Sequence, residues 1–219
     1  MSTSHIVKQG EHLSQIAFEA GFRNFEVIWN DPANADLKKK RQNPNLLFPG
    51  DVVVIPERNT KQESAATGQR HRFEVTSPKL ELRIRLLGLD SKAAVGVEVE
   101  VTIDGNVTPI TTQGDGMIEQ LLSPTARGGS LRFKDERTPF KQQIPVEVKV
   151  GHLDPVEEES GQRGRLNALG YEAGDPAKSG DGSLEFRAAV EEFQCDHGLK
   201  VDGVVGAQTR KKLQDVYGC

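Results

Sequence analysis

The period of the hydrophobic pattern changes twice along this chain of 219 residues, and that change constrains the fold more than any other feature. Apolar residues recur at helical spacing over 13–20, alternate with charged residues over 80–103, and return to helical spacing over 186–193. A helix needs a period of 3.6 residues and a half-buried strand a period of two. The chain is therefore predicted to form separate regions with small cores of their own.

The first region, residues 1–58, is predicted to follow the order strand, helix, helix, strand. His5–Lys8 forms the first strand, and Leu13–Ala20 a helix that ends before Gly21. A short helix carries Ile28 and Trp29, and after a longer loop the β-branched run Val52–Ile55 forms the second strand. Two lone strands are stable only when they pair, so we expect an antiparallel pair with both helices on one face.

Residues 59–72 contain almost no large apolar side chains, and this composition predicts a linker. Residues 73–151 then alternate apolar and charged side chains in short segments separated by turn residues, which is typical of a β-sandwich. Asp104-Gly105 is a hairpin signal. The predicted strands are Leu80–Leu86, Val95–Ile103, Val107–Thr112, Met117–Leu122, Leu131–Phe133 and Ile144–Val150.

Residues 152–219 are predicted to be helical. A first helix starts at Asp154-Pro155 or at Ser160 and ends before Gly170, and a third follows Gly206. The second is marked by Phe186, Ala189, Val190 and Phe193 at i, i+3, i+4 and i+7, and it stops at Gly198.

Charge and composition exclude several functions. A formal net charge of −4 leaves no basic footprint for nucleic acid. No apolar run approaches the roughly 20 residues of a membrane span. The first 20 residues lack the pattern of a secretory leader, so we expect a protein that is cytoplasmic when made. Cys195 and Cys219 favour free thiols, although a bridge between them stays open.

Two segments of the first region resemble a LysM domain, a βααβ module that binds N-acetylglucosamine in peptidoglycan and chitin. They are VKQGEHLSQIA, residues 7–17, and NPNLLFPGDVVVIP, residues 43–56. The resemblance implies a shallow groove between two loops in which backbone groups hold the N-acetyl group. Carried over, the glycan-binding residues are Gly10, Glu11, His12, Leu13, Asn45, Leu46, Leu47, Phe48 and Pro49.

This region departs from the LysM pattern at two places. His12 stands where the family favours threonine, and the connection before Asn43 is longer than usual. The longer connection carries a basic cluster beside the groove, which is either a solvated loop or a contact for the carboxylates of peptidoglycan stem peptides or of an acidic protein. Its residues are Lys38, Lys39, Lys40 and Arg41.

The C-terminal region resembles the helical peptidoglycan-binding domain of many wall hydrolases. The matching segments are GRLNALGY, residues 164–171, and AVEEFQCDHGLKVDGVVGAQTRKKL, residues 189–213. Phe193, Leu199 and Leu213 are expected in the core. Asp202, Gly203, Gly206 and Thr209 are candidates for a second wall-binding site, with pure turn geometry as the alternative.

The chain is thus predicted to be a multidomain α+β protein. It comprises a βααβ LysM-like domain, a sandwich that resembles immunoglobulin-like domains, and a small three-helix peptidoglycan-binding-like domain. The whole arrangement resembles small proteins associated with bacterial type VI secretion and related contractile injection machines. Such a machine would deliver the protein to the periplasm or to a target cell.

The first hypothesis is a non-catalytic protein that binds peptidoglycan, with its two wall-binding domains at opposite ends of a rigid spacer. The second is an adaptor or chaperone that docks an effector or spike protein of an injection machine. An enzyme comes last, because no carboxylate pair or nucleophile can be placed and the five histidines are scattered. No cofactor, no metal, no nucleic acid and no membrane are expected as partners.

Overall fold

The computed structural model describes residues 2–58, 64–72, 80–88, 92–133, 145–180 and 182–219. Within these ranges the fold is mixed α/β, with six α-helices, three antiparallel sheets and three hydrophobic cores. The start of the predicted sandwich at Phe73 and the strand residue Ile144 lie outside the described residues, as does part of the predicted linker. None of the helices described has the length and hydropathy that a membrane span requires.

The N-terminal module, residues 2–58, contains an antiparallel strand pair as predicted, but its first strand starts and ends two residues before the predicted His5–Lys8. Strand β1 (Thr3–Ile6) pairs antiparallel with β2 (Val52–Ile55), with His5 opposite Val53. Helices α1 (Leu13–Glu19) and α2 (Glu26–Trp29) pack on this pair. Val53 is fully buried whereas Val52 is 49% exposed, so the β-branched run alternates between core and solvent.

The long connection before Asn43 is not the loop that the sequence predicted. It forms a 3₁₀ turn (Pro32–Asn34) and helix α3 (Ala35–Lys40). Buried Asn34 explains this, because its Nδ2 donates to the carbonyl oxygens of Ile28 and Val54, and its Oδ1 accepts from Val54 N at 2.8 Å. One side chain thus fixes the start of α3 to strand β2.

The middle module, residues 80–151, consists of two sheets that face each other across one core. The turn between two of its strands has φ values of 47° at Asp104 and 83° at Gly105, the type I′ geometry that the Asp-Gly signal predicted. The smaller sheet pairs β3 with β6, and the larger has the order β5-β4-β7-β8. The strands are β3 (Leu80–Arg85), β4 (Glu98–Ile103), β5 (Asn106–Thr111), β6 (Met117–Leu122), β7 (Gly128–Phe133) and β8 (Val146–Lys149).

The C-terminal module, residues 152–219, consists of α4 (Glu159–Ala168), α5 (Leu184–Asp196) and α6 (Ala207–Tyr217). Each helix contributes to one core, through Leu166, Phe193 and Leu213 respectively. The predicted periodicity of the second helix is confirmed, since its buried side is the predicted one.

The N-terminal and C-terminal modules touch each other directly. Arg41 Nη1 donates to Glu158 Oε1 at 3.1 Å, and Gln9 Nε2 donates to Asp154 Oδ1 at 3.5 Å. The expectation of two domains at opposite ends of a spacer is therefore wrong. The prediction followed the order of the modules along the chain, in which the middle module separates the other two. The contacts that join the outer modules are non-local, and such contacts leave no periodic signal in the sequence.

Candidate functional site

The first loop of the predicted groove is organised by Glu11. Its Oε2 accepts from the backbone N of Lys8 at 2.9 Å and contacts His5 Nε2 at 2.7 Å. Burial acts to raise the pKa of Glu11, but these two hydrogen bonds outweigh it and lower that pKa. Gly10 has φ of +85°, so the turn needs a residue that tolerates the left-handed region.

The second loop, residues 43–51, is tied to the first and closed on itself. Leu13 N donates to Pro44 O at 3.3 Å, and Asn45 Oδ1 accepts from Ser14 N and Oγ. Asp51 closes the loop, because its Oδ2 accepts from Phe48 N at 3.0 Å. The two predicted loops therefore form one continuous surface.

The nine residues predicted to bind glycan divide into two groups by exposure. His12, Leu13 and Leu47 are 1%, 0% and 3% exposed, so their side chains belong to the core beneath the groove and not to its surface. The surface of the groove is formed by the partly exposed members, which are Gly10, Glu11, Asn45, Leu46, Phe48 and Pro49.

His12 is a buried imidazole, and neither of its ring nitrogens has a hydrogen-bond partner among the described residues. Burial lowers the pKa of His12 below its ordinary 6.5, and weaker contributions from Asn45 and Glu19 oppose this. Because the ring is neutral and desolvated, its position supports packing and not proton transfer.

One end of the groove is in contact with the segment that enters the C-terminal module. A Cβ placed on Gly10 would lie 2.8 Å from His152 Nε2, and one placed on Gly151 would meet the Gly10 carbonyl oxygen. The same Gly151 position lies 3.2 Å from Cδ2 of His12. His152 and Gly151 therefore cover the end of the groove at Gly10, whereas Leu46 and Phe48 at the other loop are partly exposed.

The predicted basic cluster is divided by the end of helix α3. Lys38, Lys39 and Lys40 are exposed, and Lys39 contacts only Asp36, at 3.5 Å, among the ion pairs of the described residues. Lys40 Nζ lies 3.1 Å from Asp51 Oδ1. Arg41 is 1% exposed, and its Nε, Nη1 and Nη2 already donate to Asp51 and Glu158, so its guanidinium is not available to a further anionic partner in this conformation.

Arg41 is the centre of a buried ion-pair network. Its Nε and Nη2 donate to the two carboxylate oxygens of Asp51 at 2.7 and 3.2 Å, and Nη1 donates to Glu158. Burial alone would raise the pKa of Asp51 and lower that of Arg41. The pairing outweighs it, so the pKa of Asp51 is lowered and that of Arg41 raised. Sequence reasoning missed this role, because Glu158 lies 117 residues away.

An open cavity of about 430 Å³ lies between the two modules, and we call it the inter-module cavity. Its N-terminal wall includes Arg41, Asn43 and Leu46. Its C-terminal wall is formed by the segment that precedes α4, by Arg165 within α4, and by the end of α6 with the residues that follow it. Since Leu46 also belongs to the predicted groove, the groove continues into this cavity.

Three of the four candidates for a second site contact the buried amide of Gln194. Its Nε2 lies 3.0 to 3.1 Å from three acceptors that share its two N–H groups, Asp202 Oδ1, Val204 O and Thr209 Oγ1, and its Oε1 accepts from Asp202 N and Gly203 N. Gly203 has φ of +67°. Asp202, Gly203 and Thr209 thus hold the turn in shape, and Gly206 is the N-cap residue of α6. Gln194 lies within the segment 189–213 that resembles the family, but nothing in the sequence indicated that its amide has this central role.

Two kinds of reactive side chain, potential metal ligands and thiols, occur among the described residues. No group of three or more His, Cys, Asp or Glu side chains in that part of the chain could hold a metal ion. Cys195 is exposed, Cys219 is partly buried, and both are free thiols. Burial raises the pKa of the Cys219 thiol, which opposes its use as a nucleophile.

Comparison with known proteins identifies one part of the chain. Residues 163–213 match the family of the peptidoglycan binding domain, a range that begins within α4 and ends within α6. No curated protein and no solved structure matches the chain. The C-terminal module therefore contains a peptidoglycan-binding domain, which supports peptidoglycan as a partner of this protein.

Proposed function

We propose that this protein is a non-catalytic, modular peptidoglycan binder in which the N-terminal groove adds a glycan contact to the C-terminal domain. The observation that carries the proposal is the family match over residues 163–213, folded as three helices around one core. The LysM-like sequence of the N-terminal loops and their tie through Leu13 and Pro44 support the glycan contact.

The arrangement of the two modules changes the expected mode of binding. Two independent domains on a flexible linker would raise avidity without sharing a site. Here the modules touch through Arg41 and Glu158, and the groove opens beside the peptidoglycan-binding domain. The two modules would therefore form one extended surface, and this surface would contact neighbouring parts of a single peptidoglycan strand.

Exposed apolar side chains give the C-terminal module a surface on which a sugar ring can lie. Leu184 is 83% exposed and Val204 is 62% exposed, and Val204 belongs to the turn that Gln194 organises. Apolar side chains against a sugar face, with hydrogen bonds from a fixed turn, suit a neutral carbohydrate.

Cosedimentation of the full chain with purified sacculi tests the proposal. We expect the wild type to sediment with sacculi and Val204→Asp to sediment less. Val107→Asp is the matched control, because Val107 is 59% exposed but lies on strand β5 of the middle module. Failure of the wild type to sediment would refute the proposal, and dye release from labelled peptidoglycan would refute its non-catalytic part.

The alternative is an adaptor that docks an effector or spike protein of an injection machine. The exposed lysines of α3, among them Lys39 with an 80% exposed side chain, offer a surface for an acidic protein. The link to such a machine rests on the resemblance of the arrangement. Affinity purification from the native host at low salt tests it, and recovery of sacculus fragments without any secretion component would count against the adaptor.

A further inference from the structure

Arg165, on the wall of the inter-module cavity, has an unusual environment for a cation. Its side chain is fully buried, and three of its hydrogen bonds go to backbone oxygens. Nε donates to Cys219 O at 2.9 Å, and Nη1 donates to Asp154 O and Gly161 O, both at 2.8 Å. The remaining nitrogen, Nη2, is buried and has no hydrogen-bond partner among the described residues.

An unsatisfied N–H group on a buried cation is costly, so such groups normally find an acceptor. Burial lowers the pKa of Arg165, which reflects how far the guanidinium is withdrawn from water. Arginine nevertheless stays protonated. A carboxylate is the acceptor that a guanidinium binds best, because its two oxygens match the spacing of the N–H groups.

The charges of the other residues that line the cavity indicate which class of ligand it can bind. Glu157 and Asp215 also line the cavity and are exposed, so they would repel a polyanion such as a chain of phosphates. They would instead form ion pairs with an ammonium group of a ligand whose carboxylate is bound by Arg165. An amino-acid or peptide group with both charges therefore fits this wall better than a purely anionic polymer.

The N-terminal wall of the cavity is shared with the predicted glycan-binding groove. Leu46 and Asn43 belong to the loop that forms one side of the groove, and both line the cavity. A glycan on this loop would lie at the edge of the cavity whose other wall includes Arg165. The muramic acid residues of peptidoglycan bear short peptides with free carboxylates.

We propose that the inter-module cavity binds the carboxylate of a peptidoglycan stem peptide through Arg165, while the attached disaccharide lies on the loop that contains Leu46. This inference rests on the proposed function, and it specifies which part of peptidoglycan the protein binds. It makes the N-terminal and C-terminal modules two halves of one site.

Calorimetric titration of the full chain with a purified disaccharide tetrapeptide tests the inference. The second ligand is the same compound with its carboxylates converted to amides, and the third is chitotetraose. Loss of a charge-assisted hydrogen bond should weaken binding about tenfold or more on amidation. Equal affinity for the free and amidated compounds would overturn the inference.

Variants that fill the cavity give an independent test. Leu46→Trp should occupy the cavity from the N-terminal wall and weaken binding of the disaccharide tetrapeptide about tenfold, the loss expected when that hydrogen bond is prevented. Leu121→Trp is the control, because Leu121 is 54% exposed on β6 of the middle module. Circular dichroism establishes that each variant is folded, and wild-type affinity in Leu46→Trp would overturn the inference.

The sacculus assay separates this inference from the proposed function. If the full chain sediments with sacculi but binds the free and amidated compounds equally, the inference fails and the proposed function stands. If the chain binds neither sacculi nor any of the three soluble ligands, both fail.

Discussion

Replacement of Arg41 by methionine should unfold the N-terminal module. Arg41 and Asp51 are 1% and 2% exposed at their side chains, and Arg41 donates two hydrogen bonds to Asp51. In Arg41→Met the carboxylate of Asp51 stays buried and keeps only Phe48 N and the exposed Lys40 as partners. Removing one member of a buried ion pair typically costs about 3–5 kcal/mol, because it leaves an uncompensated charge.

That loss is comparable to the whole stability of a module of this size, since a single small core rarely supplies more than about 3–5 kcal/mol. We therefore expect Arg41→Met to be largely unfolded in its N-terminal module without denaturant. The double variant Arg41→Met/Asp51→Leu removes the stranded charge as well. It should recover most of the stability, because a hydrophobic pair can replace a buried ion pair at little cost.

Fluorescence of Trp29 during urea unfolding measures this module alone. Trp29 is the one tryptophan of the chain, and it is 7% exposed in the N-terminal core. Lys39→Met is the control, because the Lys39 side chain is 80% exposed and exposed ion pairs contribute about 0–1 kcal/mol. Glu158→Gln should give a small loss, since Glu158 is 33% exposed.

The pH dependence of the wild type follows from the same pair. The pKa of Asp51 is lowered from 3.8 in the folded state. The contribution of the Asp51 carboxylate to stability is therefore complete above pH 3.8, and it is lost as the pH falls through the lowered pKa of the folded state. A loss below about 1 kcal/mol in Arg41→Met, or equal instability of the single and double variants, would refute this account of the network.

Three further predictions concern single positions. The pKa of His12 is lowered in the folded state, so the N-terminal module should lose stability as the pH falls below 6.5. Urea unfolding followed by Trp29 fluorescence measures this loss, and His12→Leu should reduce it. The same dependence of stability on pH in His12→Leu as in the wild type would contradict this prediction. Gln194→Leu removes the hydrogen bonds of the buried amide and should destabilise the C-terminal module by about 2–4 kcal/mol in circular dichroism, whereas a neutral effect would show that this amide is dispensable. A Cβ on Gly161 would clash with the Pro155 carbonyl oxygen, so Gly161→Ala should cost about 1–3 kcal/mol. A Cβ on Gly164 would lie 3.2 Å from the flexible Leu153 Cδ1, so Gly164→Ala in the same helix should gain about 0.5–1 kcal/mol, and equal losses would refute the distinction.

Local signals in the sequence predicted the elements well. Val52–Ile55 and Met117–Leu122 were predicted with the bounds that the structure has, because β-branched or alternating residues end there at turn residues. The Asp104-Gly105 turn was predictable because few residues other than glycine and Asn or Asp tolerate its dihedral angles. In each case the determining interactions lie within a few residues.

Interactions over long distances were not predictable in this way. Helix α3 packs a single large apolar side chain, Leu37, against the core, and its start is fixed by Asn34, whose partner Val54 in β2 follows 20 residues later. The charges at 38–41 looked alike in the sequence, yet Arg41 is buried because Asp51 and Glu158 surround it. Arg165 lay within a recognised motif, but the cavity beside it exists only because the two outer modules meet.

The central claim, that the N-terminal and C-terminal modules bind peptidoglycan on one surface, can be mapped directly by NMR. Amide resonances of the full chain would be followed during addition of a purified disaccharide tetrapeptide. The claim predicts shifts in residues 43–49 and in residues 155–165 and 202–219 at the same ligand concentration. Shifts in only one of these modules, shifts confined to the strands of the middle module, or none at all would contradict it.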